Sequence, residues 1–454
     1  MQAITYTGSY PVSKLAVADA ALAGAGLAAV ELFAYHHLVP GDSPASAAPA
    51  VTFTLVATNG GTTPLPVSLF FMLPMGAMAD CVRVGAPGAP PAPAPSAPAC
   101  IRACAANATC DAWTWAAATG LCSQLPRAGG MVYGAGSWCG VKGGGWSTGG
   151  VDGGTLSLDM NASSASAGSA AVGGVSLRAV GGSEAASGSD FSLGVGDDAG
   201  ALFAAFAAGG AFPPGAAGGV TGGAFAGVAA ASGAAIVTAL IPPGATVSQS
   251  VVFTWYFPDR DFYGENIGQF YSNLFGSSEG VAAAFGGDRL VEAARDAAAH
   301  TGVWAGAATS GPSWLNDHMA NQFSHFRNFI YSRAGEMREH EANDCPDLDS
   351  VHNDYQRHLP YLWAVPEFEA QKSVLYESCQ QADGHITENP PFHVGGHCGG
   401  RVMGDTTTIW ILEVLEIYQS TGNFTRLKEV WPAVVRGLNW QIEVSKAQGI
   451  PAHL

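Results

Sequence analysis

Charge is spread so unevenly along this chain that its two ends cannot be built alike. Of the 19 Lys and Arg residues, 7 lie before position 286 and 12 among the 169 residues from there to Leu454. The first part is weakly charged and rich in Gly, Ser and Thr, while the last part has the composition of an ordinary globular enzyme. The boundary is expected between about 260 and 310, which suits a length of 454 residues as two domains or one domain with insertions. With 48% hydrophobic residues the chain can bury a sizeable core, which excludes wholesale disorder. The formal charge of −17 excludes nucleic acid as a partner, because neutralising phosphates needs clustered Lys and Arg.

The first part reads as β. Val51 to Thr58 begins with apolar and polar positions alternating and stops at Asn59-Gly60-Gly61, a turn signal. Val67 to Leu73 is a second strand-length run. Ala235 to Ile241 meets the turn Pro242-Pro243-Gly244, after which Val247, Gln249, Val251, Phe253 and Trp255 alternate with Ser248, Ser250, Val252 and Thr254. Strands spaced by such turns predict an antiparallel β-sandwich over residues 1–80 and 142–262.

An insert splits it. Residues 85–99 are a Pro/Ala linker that cannot pack as a core element. Cys81 precedes the linker, and Cys100, Cys104, Cys110, Cys122 and Cys139 follow it. Six cysteines within 59 residues predict a disulfide-stapled module, here residues 100–141, with the pairing open among 15 possibilities. The spacing of Cys100, Cys104 and Cys110, then Ala112-Trp113-Thr114-Trp115 and Cys122, resembles a PAN/apple domain. Metal-binding or free thiols are the competing reading. No apolar run is long and uninterrupted enough to span a membrane, and Met1 to Tyr6 has no leader character.

After linker helices over 263–310, residues 311–454 read as α. Ser313 is expected to cap a helix running to Tyr331, with Leu315, Met319, Phe323, Phe326 and Ile330 on one stripe. A second helix is expected over Thr406 to Thr421, stopped by Gly422. A third is expected to start near Trp431-Pro432, with the proline in its first turn, and to end at Gly449. Short connections imply antiparallel hairpins, and an α/α toroid is the large fold that stacks them.

The densest polar cluster runs from Glu339 to Tyr355, with six carboxylates, four amide or imidazole groups and no basic residue between Arg338 and Arg357. Like charges packed together raise some pKa values and leave others ionised, which suits acid/base or nucleophilic chemistry. A solvated acidic loop or a cation site is the plainer alternative; EF-hand spacing is absent. Gly145-Trp146-Ser147-Thr148-Gly149 and Gly276-Ser277-Ser278-Glu279-Gly280 fit a serine-hydrolase elbow but lack the buried strand before a helix that gives it meaning.

Several segments carry a resemblance to glycoside hydrolase family 116, over roughly residues 6–80 and 245–454. They are Tyr6 to Pro11, Val51-Thr52-Phe53, Pro66 to Leu69, Trp255 to Arg260 with Tyr271-Ser272-Asn273, Tyr361 to Glu369, Asp405 to Tyr418, and most specifically Thr421-Gly422-Asn423 through Trp431-Pro432. The family includes non-lysosomal glucosylceramidases and β-glucosidases. The resemblance implies a multidomain β + α protein, an N-terminal antiparallel β-sandwich followed by a partial (α/α)6 barrel. It further implies a retaining mechanism using two carboxylates, one nucleophile and one acid/base.

The family's nucleophile opens a Glu-x-x-Glu/Asp stretch followed by Asn-Thr-Tyr-Asp. Asp344-Cys345-Pro346-Asp347 with Asn353-Asp354-Tyr355 is similar, so Asp344 is the nucleophile by register and Glu341 and Asp347 are the alternatives. Asp in place of Glu departs from the pattern and would move the attacking oxygen by one methylene. Asp354 and His393, the latter in Pro391-Phe392-His393-Val394-Gly395, are implied to hold sugar hydroxyls; His385 and Glu388 are weaker candidates. His393-x3-His397-Cys398 also reads as metal spacing, but a structural zinc wants a fourth ligand. No metal or cofactor is expected.

The family's acid/base Asp belongs in a Thr-Tyr-Asp stretch beyond Leu454, so the chain is expected to be a fragment that does not hydrolyse glycosides efficiently by itself. The implied substrate is a β-glucoside or a glycolipid such as glucosylceramide, with peripheral membrane association. The sequons at Asn107, Asn161 and Asn423 together with the cysteines favour an extracellular or lumenal location, whereas the glucosylceramidases favour the cytosolic face of a membrane. The competing functional class is a catalytically inactive relative that binds carbohydrate or protein through the apple-like module.

Overall fold

The computed structural model describes residues 3–73, 78–83, 90–107, 109–110, 112–125, 131–141, 145–149, 154–160, 173–180, 190–217, 220–224, 230, 232–262, 264–285, 290, 293–299, 302, 312–341, 348–349, 355 and 358–448. The chain forms two compact units. One comprises Met1–Gly8, Val12–His37 and Ala48–Ala298; the other comprises Ser9–Pro11, Leu38–Ala47 and Ala299–Leu454.

The first unit is built on large antiparallel sheets. The four strands expected from alternation and turns are present as Ala50–Asn59, Leu65–Leu73, Ser232–Ile241 and Thr246–Tyr256. The strand Ala50–Asn59 pairs with Thr246–Tyr256 in an eight-stranded sheet, and Leu65–Leu73 pairs with Ser232–Ile241 in a five-stranded one. The turns after Asn59 and after Ile241 therefore carry the chain between sheets. Asn59 ties both corners together: its Nδ2 donates to the carbonyls of Thr63 and Ile241 at 2.8 and 2.9 Å, and its Oδ1 accepts from the Gly61 N–H.

Alternation sends the two faces of the eight-stranded sheet to different fates. Leu156, Leu158, Val175, Leu177 and Val251 share one apolar cluster with Leu69, Leu193, Val195, Ala235 and Val237 of the five-stranded sheet. The opposite face is also buried: beside an apolar cluster that includes Ala50, Val252, Val281 and Phe285 it carries a ladder of hydroxyls. Ser176 Oγ lies 2.9 Å from Ser157 Oγ and 2.8 Å from Ser278 Oγ, and Thr254 donates to the Ser278 carbonyl. Ser278 opens the helix Ser278–Ala284 behind its cap Ser277 and is almost fully buried, so the second serine-hydrolase match is a helix start packed on the sheet. The first match lies inside the strand Gly145–Gly149.

The cysteine-rich insert makes its own five-stranded sheet from Met78–Arg83, Met131–Val141, Ala112–Ala116, Leu121–Leu125 and Ala92–Pro93. The end of the Pro/Ala tract is drawn into it. Ala92 pairs with Cys122, and Ser96 caps the helix Ala97–Ala106, so the tail of the tract is structure rather than spacer. Disulfides Cys100–Cys122 and Cys104–Cys110 pack around the buried Trp113.

In the second unit the helices depart from expectation in two places. Ser313 does not cap; it lies inside a helix Ser313–Gln322 that follows Pro312. The chain then tightens into a 3-10 turn, Phe323–Asn328, and continues as the strand Phe329–Tyr331, because Phe326, Phe329 and Tyr361 pack as rings at 5.2–5.4 Å. Pro432 does not open a helix either. It sits within the 25-residue helix Phe424–Gln448, where packing of Val430, Ala433 and Val434 outweighs a penalty of about 3 kcal/mol for an interior proline. The helix Thr406–Thr421 ends at Gly422, whose φ of 67° only glycine adopts without penalty. No described helix is long and apolar enough to cross a membrane.

Candidate active site

The acidic stretch emerges from a small hairpin in the second unit. Phe329–Tyr331 pairs antiparallel with Met337–Glu339, and the turn between them is closed by the Ser332 hydroxyl accepting from the Glu336 N–H. The chain leaves this hairpin at His340 and returns at Leu348, which pairs with it as an isolated bridge. The Asp349 N–H donates to the Glu339 carbonyl, and the Glu339 N–H donates to Asp349 Oδ1 at 2.7 Å. The described residues on either side of 342–347 are thus fastened to each other. Asp349 takes a left-handed φ of 45°, which Asp tolerates better than most residues, and the side-chain bond to Glu339 holds it there.

Beneath this clamp lies a buried cation. Arg338 is 2% exposed, and its Nε is 3.9 Å from Asp349 Oδ2. The same Nε donates at 2.8 Å to the carbonyl of Phe392, whose ring lies 5.3 Å from the guanidinium. Burial lowers the Arg338 pKa while Asp349 and Glu336 oppose that effect, and a guanidinium stays charged throughout the physiological range. The next residue, His393, places Nδ1 2.7 Å from Glu336 Oε1. Arg338 and Glu336 therefore join the base of the acidic loop to the loop bearing His393. Tyr361 completes the floor by donating to Glu339 Oε1 at 2.6 Å, both residues being fully buried.

Two further polar groups lie among the helices. Tyr355 stacks on His358 with ring centres 4.5 Å apart, and His358 Nε2 is 2.5 Å from Glu416 Oε2. Burial and the neighbouring Glu416 raise the Tyr355 pKa. Lys372 lies 2.9 Å from Glu369 and 3.4 Å from Glu413, all three fully buried between the helices Pro366–Ser378 and Thr406–Thr421.

Of the residues singled out from sequence, Asp344, Asp347 and Asp354 lie outside the described residues. Glu341 is half-buried at the start of the clamped loop. His393 is joined to that loop's base through Glu336 and Arg338. His385 faces Asp383, at 2.6 Å, and the Trp440 ring, in a turn where Gly384 has a φ of 108° and leaves no room for a Cβ against the Arg436 carbonyl. Glu388 is gripped by the Arg401 guanidinium at 3.2 Å through both oxygens. Cys398 is not a free thiolate in a metal site: it forms a disulfide with Cys379, and that pairing was not signalled by spacing. Arg338, Glu336 and Tyr361 were not picked out either. Arg338 was visible only as the last basic residue before the acidic run.

Chemically, the described arrangement is a clamped pair, Glu339 and Asp349, beside the buried Arg338 guanidinium, with the His393 imidazole held against Glu336. Carboxylates and an imidazole are the groups that glycoside hydrolysis uses for attack, proton transfer and hydroxyl binding.

A family model described as the N-terminal domain of glycosyl-hydrolase family 116, beta-glucosidase 2, matches residues 1–294. No curated protein matches the sequence. Among solved structures, a family GH92 inverting mannosidase from Bacteroides thetaiotaomicron aligns at 6% identity and a TM-score of 0.28, over 95% of this chain and 41% of that one. A putative aldose 1-epimerase from Klebsiella pneumoniae aligns at 8% identity and a TM-score of 0.16, over 56% of this chain and 53% of that one. The chain thus spans about two fifths of the mannosidase's length, and overlaps this weak carry no argument about mechanism.

Proposed function

Because this chain belongs to glycosyl-hydrolase family 116, we propose that it contributes the sheet domain and the nucleophile side of a retaining β-glucosidase acting on β-glucosides such as glucosylceramide. The observation that carries this reading is the clamped base of the acidic loop, Glu339 and Asp349, tied through buried Arg338 to the loop bearing His393. A retaining enzyme needs a nucleophilic carboxylate whose position relative to the anomeric carbon is fixed with sub-ångström tolerance, and fastening the chain on both sides of residues 342–347 supports that requirement.

In this reading Asp344 attacks, with Glu341 and Asp347 as the alternatives, and His393 and Asp354 hold sugar hydroxyls. His393, with Nδ1 against Glu336, has its ring orientation set by that carboxylate. The acid/base carboxylate is not among the residues we assign. The two sheets sharing one core are read as a β-sandwich. The successive helices Pro366–Ser378, Thr406–Thr421 and Phe424–Gln448, each packed on the next, are read as part of an (α/α)6 barrel. Trp431, Val435, Leu438 and Ile442 are exposed at i+4, i+3 and i+4 steps on the last helix, the stripe that a further hairpin of a toroid would cover.

The test uses a 2-fluoroglucoside whose leaving group departs without protonation, so that labelling needs the nucleophile but no acid. Full-length protein should acquire one covalent sugar on a peptide within 339–355, and Asp344→Asn should abolish it. Label that survives Asp344→Asn but is lost in Glu341→Gln or Asp347→Asn moves the nucleophile to that residue. Slower labelling in the presence of glucosylceramide micelles would support the glycolipid as substrate.

The alternative reading is an inactive relative that binds protein or carbohydrate through a PAN/apple-like module. The staples Cys100–Cys122 and Cys104–Cys110 around a buried tryptophan support it. Failure of every form to label would favour it.

A further inference from the structure

Three sequons occur in the chain, and the two described ones differ in a way that decides between them. Asn107 is engaged on both sides of its amide. Its Nδ2 donates to Gln124 Oε1 at 2.7 Å, and its Oδ1 accepts from both the N–H and the hydroxyl of Thr109. The tripeptide also lies within the short span closed by the Cys104–Cys110 disulfide. Modifying Asn107 would remove a part-buried hydrogen bond, leaving Gln124 to find another partner.

Asn423 is held by one side only. Its Oδ1 accepts from the Arg426 N–H at 3.0 Å, capping the helix Phe424–Gln448, and its Nδ2 has no partner among the described residues. Asn423, Phe424 and Thr425 are all exposed, and they follow the left-handed Gly422 at the turn between two helices. A substituent on Nδ2 would leave the cap intact, because the cap uses the other atom of the amide.

The compartment is indicated separately. Disulfides occur in both units, Cys100–Cys122 and Cys104–Cys110 in one and Cys379–Cys398 in the other, and five of these six sulfurs belong to residues at most 3% exposed. Buried structural disulfides belong to proteins folded in oxidising compartments.

From these observations we infer that the chain matures along a secretory route and carries an N-linked glycan on Asn423, while Asn107 remains unmodified. The donor class is an oligosaccharide linked to a polyprenyl diphosphate. The bond between Asn423 Nδ2 and the sugar C1 forms as the bond from C1 to the diphosphate oxygen breaks. The polyprenyl diphosphate leaves with the electron pair, and the amide proton goes to solvent.

The experiment is peptide mapping of the full chain secreted from yeast, with glycan release by an amidase that converts a glycosylated Asn to Asp. Asn423 should be recovered as Asp and Asn107 as Asn. Asn423→Gln and Thr425→Ala should each remove the same glycan mass, and only Asn423→Gln should also lower the melting temperature, since Thr425→Ala keeps the cap. Asn423 recovered as Asn, Asn107 recovered as Asp, or free thiols at Cys379 and Cys398 would each overturn the inference.

Discussion

The two units differ in how much paired charge they bury. In the eight-stranded sheet the buried polar groups are mostly neutral hydroxyls, Ser157, Ser176, Ser250, Thr254 and Ser278, bonded to other hydroxyls or to backbone, with Arg178 buried on the same strand as Ser176. The helical unit buries hydroxyls too, Ser373, Thr406 and Thr407, but adds clusters of opposite charge: Arg338 with Asp349, and Lys372 with Glu369 and Glu413. A satisfied hydroxyl costs little to bury, whereas a buried charge is tolerable only beside its partner. The sheet unit thus has the chemistry of a scaffold. The helical unit maintains strong local fields where an acidic loop is anchored, the kind of environment that perturbs pKa values at functional sites.

This contrast can be broken experimentally. The largest effect is expected from Lys372→Met, which strands two buried glutamates and should cost about 3–5 kcal/mol in urea unfolding. The triple variant Glu369→Leu, Lys372→Met, Glu413→Leu should recover most of that loss; a triple variant as unstable as the single would mean that packing, not charge, dominates there. Asn59→Ala should cost about 2–3 kcal/mol, because it leaves the Thr63 and Ile241 carbonyls and the Gly61 N–H without their partner. Ser176→Ala should cost only about 1 kcal/mol, and a loss as large as that of Lys372→Met would erase the distinction between the units.

The smallest effect concerns pH. Burial pushes the Asp296 pKa up, but hydrogen bonds from His37 and Arg295 outweigh it, leaving the carboxyl below its ordinary 3.8. A carboxyl depressed in the folded state adds stability that is present above its unfolded pKa and lost as the pH falls through the folded one. Asp296→Asn should therefore flatten the acid limb of the urea midpoint below about pH 4 and leave the neutral range nearly unchanged.

Where the fold was legible, local chemistry decided it. Alternation and the turns at Asn59 and Pro242-Pro243-Gly244 located four strands, because strand period and turn propensity are properties of neighbouring residues. Gly422 marked the end of Thr406–Thr421 for the same reason. The expected cap at Ser313 failed because Pro312 precedes the helix and the aromatic residues after Gln322 found better packing as a tight turn and strand. The expected helix start at Pro432 failed because the Asn423 cap lies nine residues earlier and packing carries the helix through the proline. In the candidate site, the acidic run and His393 were visible as residue types. Arg338, which links them, was not, since its partner carbonyl is 54 residues away.

The amino-acid sequence by itself determined the division into a weakly charged β part and a charged α part, the periods of the main strands, the stapled insert and the family resemblance. The tertiary structure alone decided which cysteines pair, that Cys398 is bound to Cys379, and that Ser176 is buried. It also decided that Arg338 holds Phe392 to the acidic loop. The physical reason is range. Backbone preference is set by adjacent side chains, but the partner of a serine, cysteine or arginine is set by how whole elements pack, and these residues read the same in sequence whether they end in water or in the core.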